Sequence, residues 1–133
     1  MNLMESLRHK SVEKKISLIK KGLPIKTVEM LTDELAIPQY TTLQILDLPN
    51  TTFDTKKKRE ENLPPKSSSA AYRLYDTFMK AVALFDNNKD AARAWFSTKH
   101  AALSNHSPLE YCETEIGAKE VEQLIGRIKE GVF

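Results

Sequence analysis

Apolar residues recur at intervals of three and four along most of this chain, and this spacing limits what the chain can fold into. Side chains three or four positions apart share one face of an α-helix, whereas a half-buried strand needs strict alternation of apolar and polar residues. The sequence has no sustained alternation, and only 4 of its 133 residues are glycine. The clearest apolar stripe consists of Ala71, Leu74, Tyr75, Phe78, Val82 and Phe85. The sequence therefore predicts an all-α protein.

Residues with known preferences for helix ends divide this pattern into successive helices. Gly22, followed by Pro24, predicts the end of a first helix, and Pro38 ends a second one. The S-x-x-E spacing from Ser107 to Glu110, with proline at the first helical position, is a capping box. The apolar faces that follow from the spacing are Val12, Ile16, Ile19 and Leu23; Val28, Leu31 and Leu35; and, after Thr114, Val121, Leu124, Ile125 and Ile128.

The stretch from Asn62 to Ser69 separates two parts of the chain. It contains two prolines and three serines, which is typical of a turn or short linker because proline cannot continue a helix. We therefore predict two domains, 1–66 and 67–133. Residues 1–66 hold 12 basic and 9 acidic side chains, whereas residues 101–133 hold 3 basic and 6 acidic ones. A weakly cationic first part suits an anionic polymer, and an acidic end suits a basic protein surface. Ordinary scatter of surface charges is the alternative interpretation.

Several classes of protein are excluded by composition and by missing motifs. No apolar run approaches the roughly 20 residues of a membrane span, so we expect a cytoplasmic protein without a membrane partner. The single cysteine, Cys112, cannot form an internal disulfide, and we interpret it as a small buried hydrophobe. His100, His106 and Cys112 lack the spacing of a metal site, and no catalytic constellation is present. We predict no enzyme activity, no metal and no cofactor.

The segment from Leu43 to Arg59 has the layout of a helix-turn-helix. Two short predicted helices flank a tight turn at Pro49, and in such motifs the second helix enters the DNA major groove. The first residues of that second helix would cap it and reach bases or phosphates, and the basic residues after them would neutralise phosphates. The candidate DNA-binding residues are Asn50, Thr51, Thr52, Lys56, Lys57, Lys58 and Arg59. A solvated basic face beside Glu60 and Glu61 is the alternative interpretation.

The last third of the chain carries a long motif. It reads A-R-x-W from Ala92, A-L at Ala102, S-P-L-E from Ser107, and T-E-x-G-A-x-x-V-E-x-L-I-x-R-I-x-x-G-V from Thr114. This pattern resembles the antitoxins of the Xre/MbcA/ParS family over residues 72–133. A looser similarity to the Xre-type helix-turn-helix half of the same antitoxins extends upstream, through Leu48-Pro49, Thr52-Phe53, Lys56-Lys57, Leu63-Pro64-Pro65, Ser68 and Tyr72-Arg73.

The resemblance implies roles for individual residues. Family members commonly carry arginine at the positions of Thr51, Thr55 and Ala70, so the basic surface here is thinner. Asn105 replaces a frequent glycine, which a left-handed turn tolerates. Residues assigned mainly to the core are Trp95, Leu103, Pro108, Leu109, Val121 and Leu124. Residues assigned to the toxin-binding surface are Thr114, Glu115, Glu122, Arg127, Lys129, Glu130, Gly131, Val132 and Phe133.

The resemblance also implies a function. In that family the C-terminal domain binds a toxin, usually a RES-domain toxin that degrades NAD, and the antitoxin catalyses nothing. We predict an antitoxin that occludes the active site of such a toxin and represses its own operon by binding operator DNA. A homodimer within a hetero-oligomeric toxin–antitoxin complex follows from the same resemblance. The alternative is a stand-alone helix-turn-helix repressor whose C-terminal part serves only for dimerisation.

Overall fold

A computed structural model describes residues 2–131, and these residues form helices joined by short connections. No β-strand occurs in this range, although isolated bridges pair Pro24 with Asn62 and His100 with His106. The predicted all-α fold is confirmed. The helices are α1 (Leu3–Arg8), α2 (Val12–Lys21), α3 (Thr27–Leu35), α4 (Gln39–Ile45), α5 (Asn50–Lys58), α6 (Pro65–Leu84), α7 (Lys89–Phe96), α8 (Pro108–Tyr111) and α9 (Glu115–Glu130), with a short 3₁₀ helix at Ala101–Leu103.

The chain forms two compact units, Met1–Tyr72 and Arg73–Phe133, and α6 contributes residues to both. The predicted linker is wrong in its second half, because α6 already begins at Pro65. Proline suits the first turn of a helix, where its missing N–H has no partner to lose. Ser67 and Ser68 are buried, and the Ser68 hydroxyl accepts a hydrogen bond of 2.8 Å from the Leu23 N–H. The serines therefore join α6 to the first unit and do not form a linker.

The core of the first unit is built from α1, α3, α4 and α5. Val28, Leu31 and Leu35 of α3 are buried, as the spacing predicted. The sequence did not predict α1, which begins where the Asn2 side chain accepts a hydrogen bond of 2.8 Å from the Glu5 N–H. This short helix is held by the burial of Met4 and Leu7.

Helix α2 ends at Gly22 as predicted, but its expected apolar face is not buried. Val12 is 70% exposed and Ile16 is 49% exposed, and none of the residues from Val12 to Lys21 is buried. The spacing therefore identified the helix and its apolar face, but of that face only Leu23, which follows the helix, is buried. Gly22 is required at the end of α2, because its φ is 99° and an added Cβ would lie 2.4 Å from the Leu63 carbonyl oxygen.

In the second unit, the apolar stripe of α6 packs against α7. Leu74, Tyr75, Phe78 and Val82 are buried, and the rings of Phe78 and Phe96 meet edge to face at 5.5 Å. Trp95 was predicted to anchor the core, but it is only half-buried. Its ring lies 6.2 Å from Phe85 and 5.0 Å from His100, so it covers the edge of the core.

The remaining helices are positioned by the caps that the sequence predicted. Ser107 and Glu110 form the reciprocal capping box, in which the Ser107 hydroxyl accepts a hydrogen bond of 3.0 Å from the Glu110 N–H. The Thr114 hydroxyl caps α9 by accepting a hydrogen bond of 3.0 Å from the Gly117 N–H. Asn105 has a φ of 61°, which confirms the predicted left-handed turn. These caps orient α8 and α9, and α9 carries most of the predicted toxin-binding residues.

Candidate functional site

Helices α4 and α5, with residues 46–49 between them, form a helix-turn-helix. The Leu48 N–H closes the turn by donating a hydrogen bond of 2.9 Å to the Leu43 carbonyl. Asp47 has a φ of 52°, in the left-handed region where such turns often use glycine. Its carboxylate also lies 2.9 Å from the Lys66 ammonium. The buried side chains of Leu43 and Phe53 anchor the two helices in the core, which leaves the outer face of α5 accessible.

Asn50, Thr51 and Thr52 form the first turn of α5. They do not cap this helix as predicted, since Pro49 occupies the N-cap position and makes no side-chain capping bond. Proline in the extended conformation is already arranged to lead into a helix, so a polar side chain is not needed there. Asn50 and Thr51 are exposed and Thr52 is half-exposed, which leaves these residues on the accessible surface of the motif.

The chain's own carboxylates pair with most of the basic residues of α5. The Lys57 ammonium contacts Glu29 and lies 5.8 Å from the centre of the Phe53 ring. Lys56 and Arg59 both approach Glu61 at 3.8 Å. Within residues 2–131, Lys58 is the only one of the four basic residues that has no ion-pair partner. A phosphate group would therefore have to displace a carboxylate at three of the four positions.

A second group of cations lies on α2, and sequence reasoning did not single it out. Lys14, Lys20 and Lys21 are exposed, and no carboxylate pairs with them in the described part of the chain. Lys15 instead lies 5.3 Å from the centre of the Tyr72 ring. Counting charges helix by helix would have found this group, because α2 contains four lysines and one glutamate.

Two of the predicted toxin-binding carboxylates form ion pairs with α6. The Lys80 ammonium lies 2.9 Å from Glu122 and 3.2 Å from Asp76, and Arg73 approaches Glu115 at 3.9 Å. Because the partners are seven residues apart on both helices, α6 and α9 run side by side in the same direction. Burial lowers the pKa of Lys80, but the hydrogen bond from Lys80 to Glu122 and the charge of Asp76 outweigh it and raise this pKa overall. Glu122 is therefore already paired with a cation of its own unit.

The other toxin-binding candidates lie at the two ends of α9. Thr114 and Glu115 are at its start, whereas Arg127, Lys129 and Glu130 form its last turns. Gly131 ends the helix with a φ of 75°, and Val132 and Phe133 lie outside the described residues. The predicted set is thus distributed over both ends of one helix.

The groups that were considered for chemistry have structural partners. Cys112 is fully buried, and burial raises the pKa of its thiol to about 12, so little thiolate forms at neutral pH. The ring of His100 is 2.9 Å from the Trp95 carbonyl oxygen, and the ring of His106 lies against Tyr111. Within residues 2–131, no three histidine, cysteine or acidic side chains are grouped to hold a metal ion. No helix in this range is both long and apolar enough to cross a bilayer.

The protein thus consists of a helix-turn-helix unit followed by a helical unit. The last helix of that second unit, α9, carries charged side chains on its exposed side. Residues 80–131 match the model of the antitoxin Xre/MbcA/ParS C-terminal toxin-binding domain. The chain is 30% identical over 118 residues to an Antitoxin Xre of Yersinia enterocolitica, covering 89% of this chain and 80% of that protein. It is 25% identical over 116 residues to an Antitoxin Xre of Photorhabdus laumondii, covering 87% of this chain and 78% of that protein. The chain belongs to the Xre/MbcA/ParS antitoxin family.

Proposed function

We propose that this antitoxin neutralises a RES-domain toxin that degrades NAD, and that it does so by covering the toxin's active site. The toxin-binding domain match runs from the last five residues of α6 to the end of α9, within the second unit, so this unit would make the contact. The antitoxin itself would carry out no chemical step. Inhibition would instead come from exclusion of NAD.

The observation that carries this proposal is the distribution of acidic residues around α9. Four glutamates are exposed there, Glu113, Glu115, Glu120 and Glu130, against two exposed lysines, Lys119 and Lys129. A pocket that binds NAD must hold a pyrophosphate, which a basic lining favours, and exposed carboxylates complement such a lining. Glu115 is 84% exposed and lies 3.9 Å from Arg73, so this long contact is weak and Glu115 can pair with a partner.

The experiment is a direct assay of the toxin encoded beside this antitoxin. We expect the purified toxin to consume NAD, and we expect equimolar antitoxin to stop that consumption. A tight complex would bury about 800 Å² on each partner, an area that a helical unit of this size can supply. A complex that forms while NAD consumption continues at its full rate would contradict occlusion of the active site.

We propose in addition that the helix-turn-helix binds operator DNA and represses the operon. Support comes from the closed turn between α4 and α5 and from the exposure of Asn50 and Thr51 at the start of α5. In this arrangement, Asn50, Thr51 and Thr52 contact base edges or phosphates in the major groove, and the basic residues from Lys56 to Arg59 contact phosphates. Repression should be lost when α5 is altered and restored when the wild-type antitoxin is supplied.

We propose finally that the antitoxin is a homodimer within its complex with the toxin. The exposed side chains of Val12 and Ile16 on α2 support this, because apolar side chains at helical spacing form a surface that association would cover. Light scattering should give twice the mass of one chain for the wild type. An Ile16→Asp variant should give the mass of one chain, and an unchanged mass would exclude α2 from the dimer contact.

A further inference from the structure

One exposed apolar side chain in the second unit has no role in the fold. Ile116 is 81% exposed, and among residues 73–131 it is the only large apolar side chain that is exposed. A single exposed apolar residue is common on protein surfaces, so exposure alone does not indicate a site. The position of Ile116 and the residues around it carry the argument.

Ile116 lies on a rigid part of the domain. It occupies the first turn of α9, directly after the cap that Thr114 forms with the Gly117 N–H. The backbone of Gly117 approaches the Tyr111 carbonyl so closely that an added Cβ would lie 2.0 Å from its oxygen. The start of α9 is therefore pressed against the end of α8. The backbone that carries Ile116 therefore loses little freedom when a partner covers this side chain, and this favours binding.

The exposed charges nearest to Ile116 in the sequence are mainly acidic. Glu113 and Glu115 precede it, Glu120 follows one turn later, and Lys119 is the only cation among these exposed neighbours. An apolar side chain with mainly acidic neighbours in the sequence is complementary to an apolar recess with a basic rim. Binding energy at protein interfaces is usually concentrated in such central apolar contacts, with polar groups around them.

We propose that Ile116 is an anchor of the complex, inserted into an apolar recess of the toxin whose rim is basic. This inference rests on the proposed function only in that the second unit binds a toxin, and it does not depend on the reaction that the toxin catalyses. It adds a specificity-determining residue that lies outside the set predicted from the sequence.

The test compares two variants that each add one carboxylate to an exposed position in the first turn of a helix. We expect Ile116→Asp to weaken binding of the purified, co-encoded toxin at least about tenfold, since truncating a central anchor has effects of this size or larger. Gln39→Asp adds the same charge to the first turn of α4, in the first unit, and should leave the affinity within about twofold of the wild type. Ile116→Leu should retain wild-type affinity, because it keeps the apolar volume.

Stability separates loss of contact from loss of fold. An acidic residue in the first turn of a helix interacts favourably with the helix dipole, so Ile116→Asp should melt at or above the wild-type temperature. A second readout uses an Ile116→Cys variant treated with N-ethylmaleimide. The new thiol should react in the free antitoxin and be protected in the complex, while the buried Cys112 stays unmodified in both.

Each outcome decides between the hypotheses. Equal affinities for Ile116→Asp and the wild type, or equal labelling of the introduced cysteine with and without toxin, would overturn the anchor role while leaving the proposed function intact. A wild-type antitoxin that fails to bind the co-encoded toxin would overturn both proposals. Weak binding by Ile116→Asp together with a lowered melting temperature would attribute the residue's effect to the fold and would also reject the anchor role.

Discussion

A methyl group added at Gly117 should weaken this protein more than any other single methyl on α9. The Cβ of an alanine at this position would lie 2.0 Å from the Tyr111 carbonyl oxygen and 3.0 Å from the Thr114 hydroxyl. Carbon and oxygen in ordinary contact are about 3.3 Å apart or more, so the start of α9 would have to move by about 1 Å. That movement would disturb both the α8–α9 contact and the Thr114 cap.

The expected magnitude is the difference between two effects. Replacing glycine by alanine inside a helix usually stabilises it by about 1 kcal/mol. Overpacking costs typically about 1–3 kcal/mol, and loss of an N-cap costs about 1 kcal/mol. We therefore expect Gly117→Ala to lower the free energy of unfolding by about 2 kcal/mol.

Gly126 provides the matched control on the same helix. An added Cβ there would meet no atom within 4 Å, so Gly126→Ala should stabilise the protein by about 0.5–1 kcal/mol. Urea denaturation followed by circular dichroism at 222 nm would measure both variants. If Gly117→Ala were as stable as Gly126→Ala, the close approach of α9 to the Tyr111 carbonyl would be wrong.

The remaining predictions concern the DNA surface, the C-terminal tail and the thiol. Replacing Lys56, Lys57 and Lys58 together by alanine should weaken operator binding while toxin inhibition stays intact. Each lost phosphate contact should reduce the slope of log affinity against log salt concentration by about 0.9. An unchanged slope would show that these lysines do not contact the DNA. Deleting residues 131–133 should weaken inhibition of NAD consumption, and equal inhibition by the shortened chain would show that the tail makes no contact. The Cys112 thiol should not react with Ellman's reagent at pH 8 unless the protein is unfolded. Burial raises the pKa of the Cys112 thiol to about 12 in the folded state, whereas the thiol of the unfolded chain ionises at about pH 8.5. The free energy of unfolding should therefore fall as the pH rises above about 8.5. A free energy of unfolding that stays constant up to pH 11 would contradict burial of the thiol.

Local chemistry made much of this fold predictable from the sequence. Caps such as those at Ser107 and Thr114 involve residues three positions apart, so they can be identified without knowing the tertiary structure. Whether the apolar face of α2 is buried or exposed could not be predicted in the same way. Its spacing shows that an apolar face exists, but whether another element covers Val12 depends on contacts between distant segments. Ser68 is a similar case, because its role depends on Leu23, 45 residues away.

The binding surfaces were predictable only as regions of charge. Counting residues showed a cationic first part and an acidic end, but it could not show which charges are paired within the chain. Lys57 contacts Glu29 across 28 residues, and Lys80 contacts Glu122 across 42 residues. These pairs decide which side chains can meet a partner without first breaking an ion pair. Ile116 was missed because one apolar residue in a polar segment gives no periodic signal.

The left-handed Asp47 has a consequence for how relatives of this protein are found. A search pattern that demands glycine between the two helices of the helix-turn-helix would pass over this sequence, although Asp47 adopts the left-handed conformation that glycine would supply. Aspartate tolerates that backbone conformation better than most residues, and Lys66 gives its carboxylate a partner. A more sensitive pattern would accept any short polar residue two positions before proline in an otherwise matching segment, and it would recover relatives that have likewise replaced the glycine.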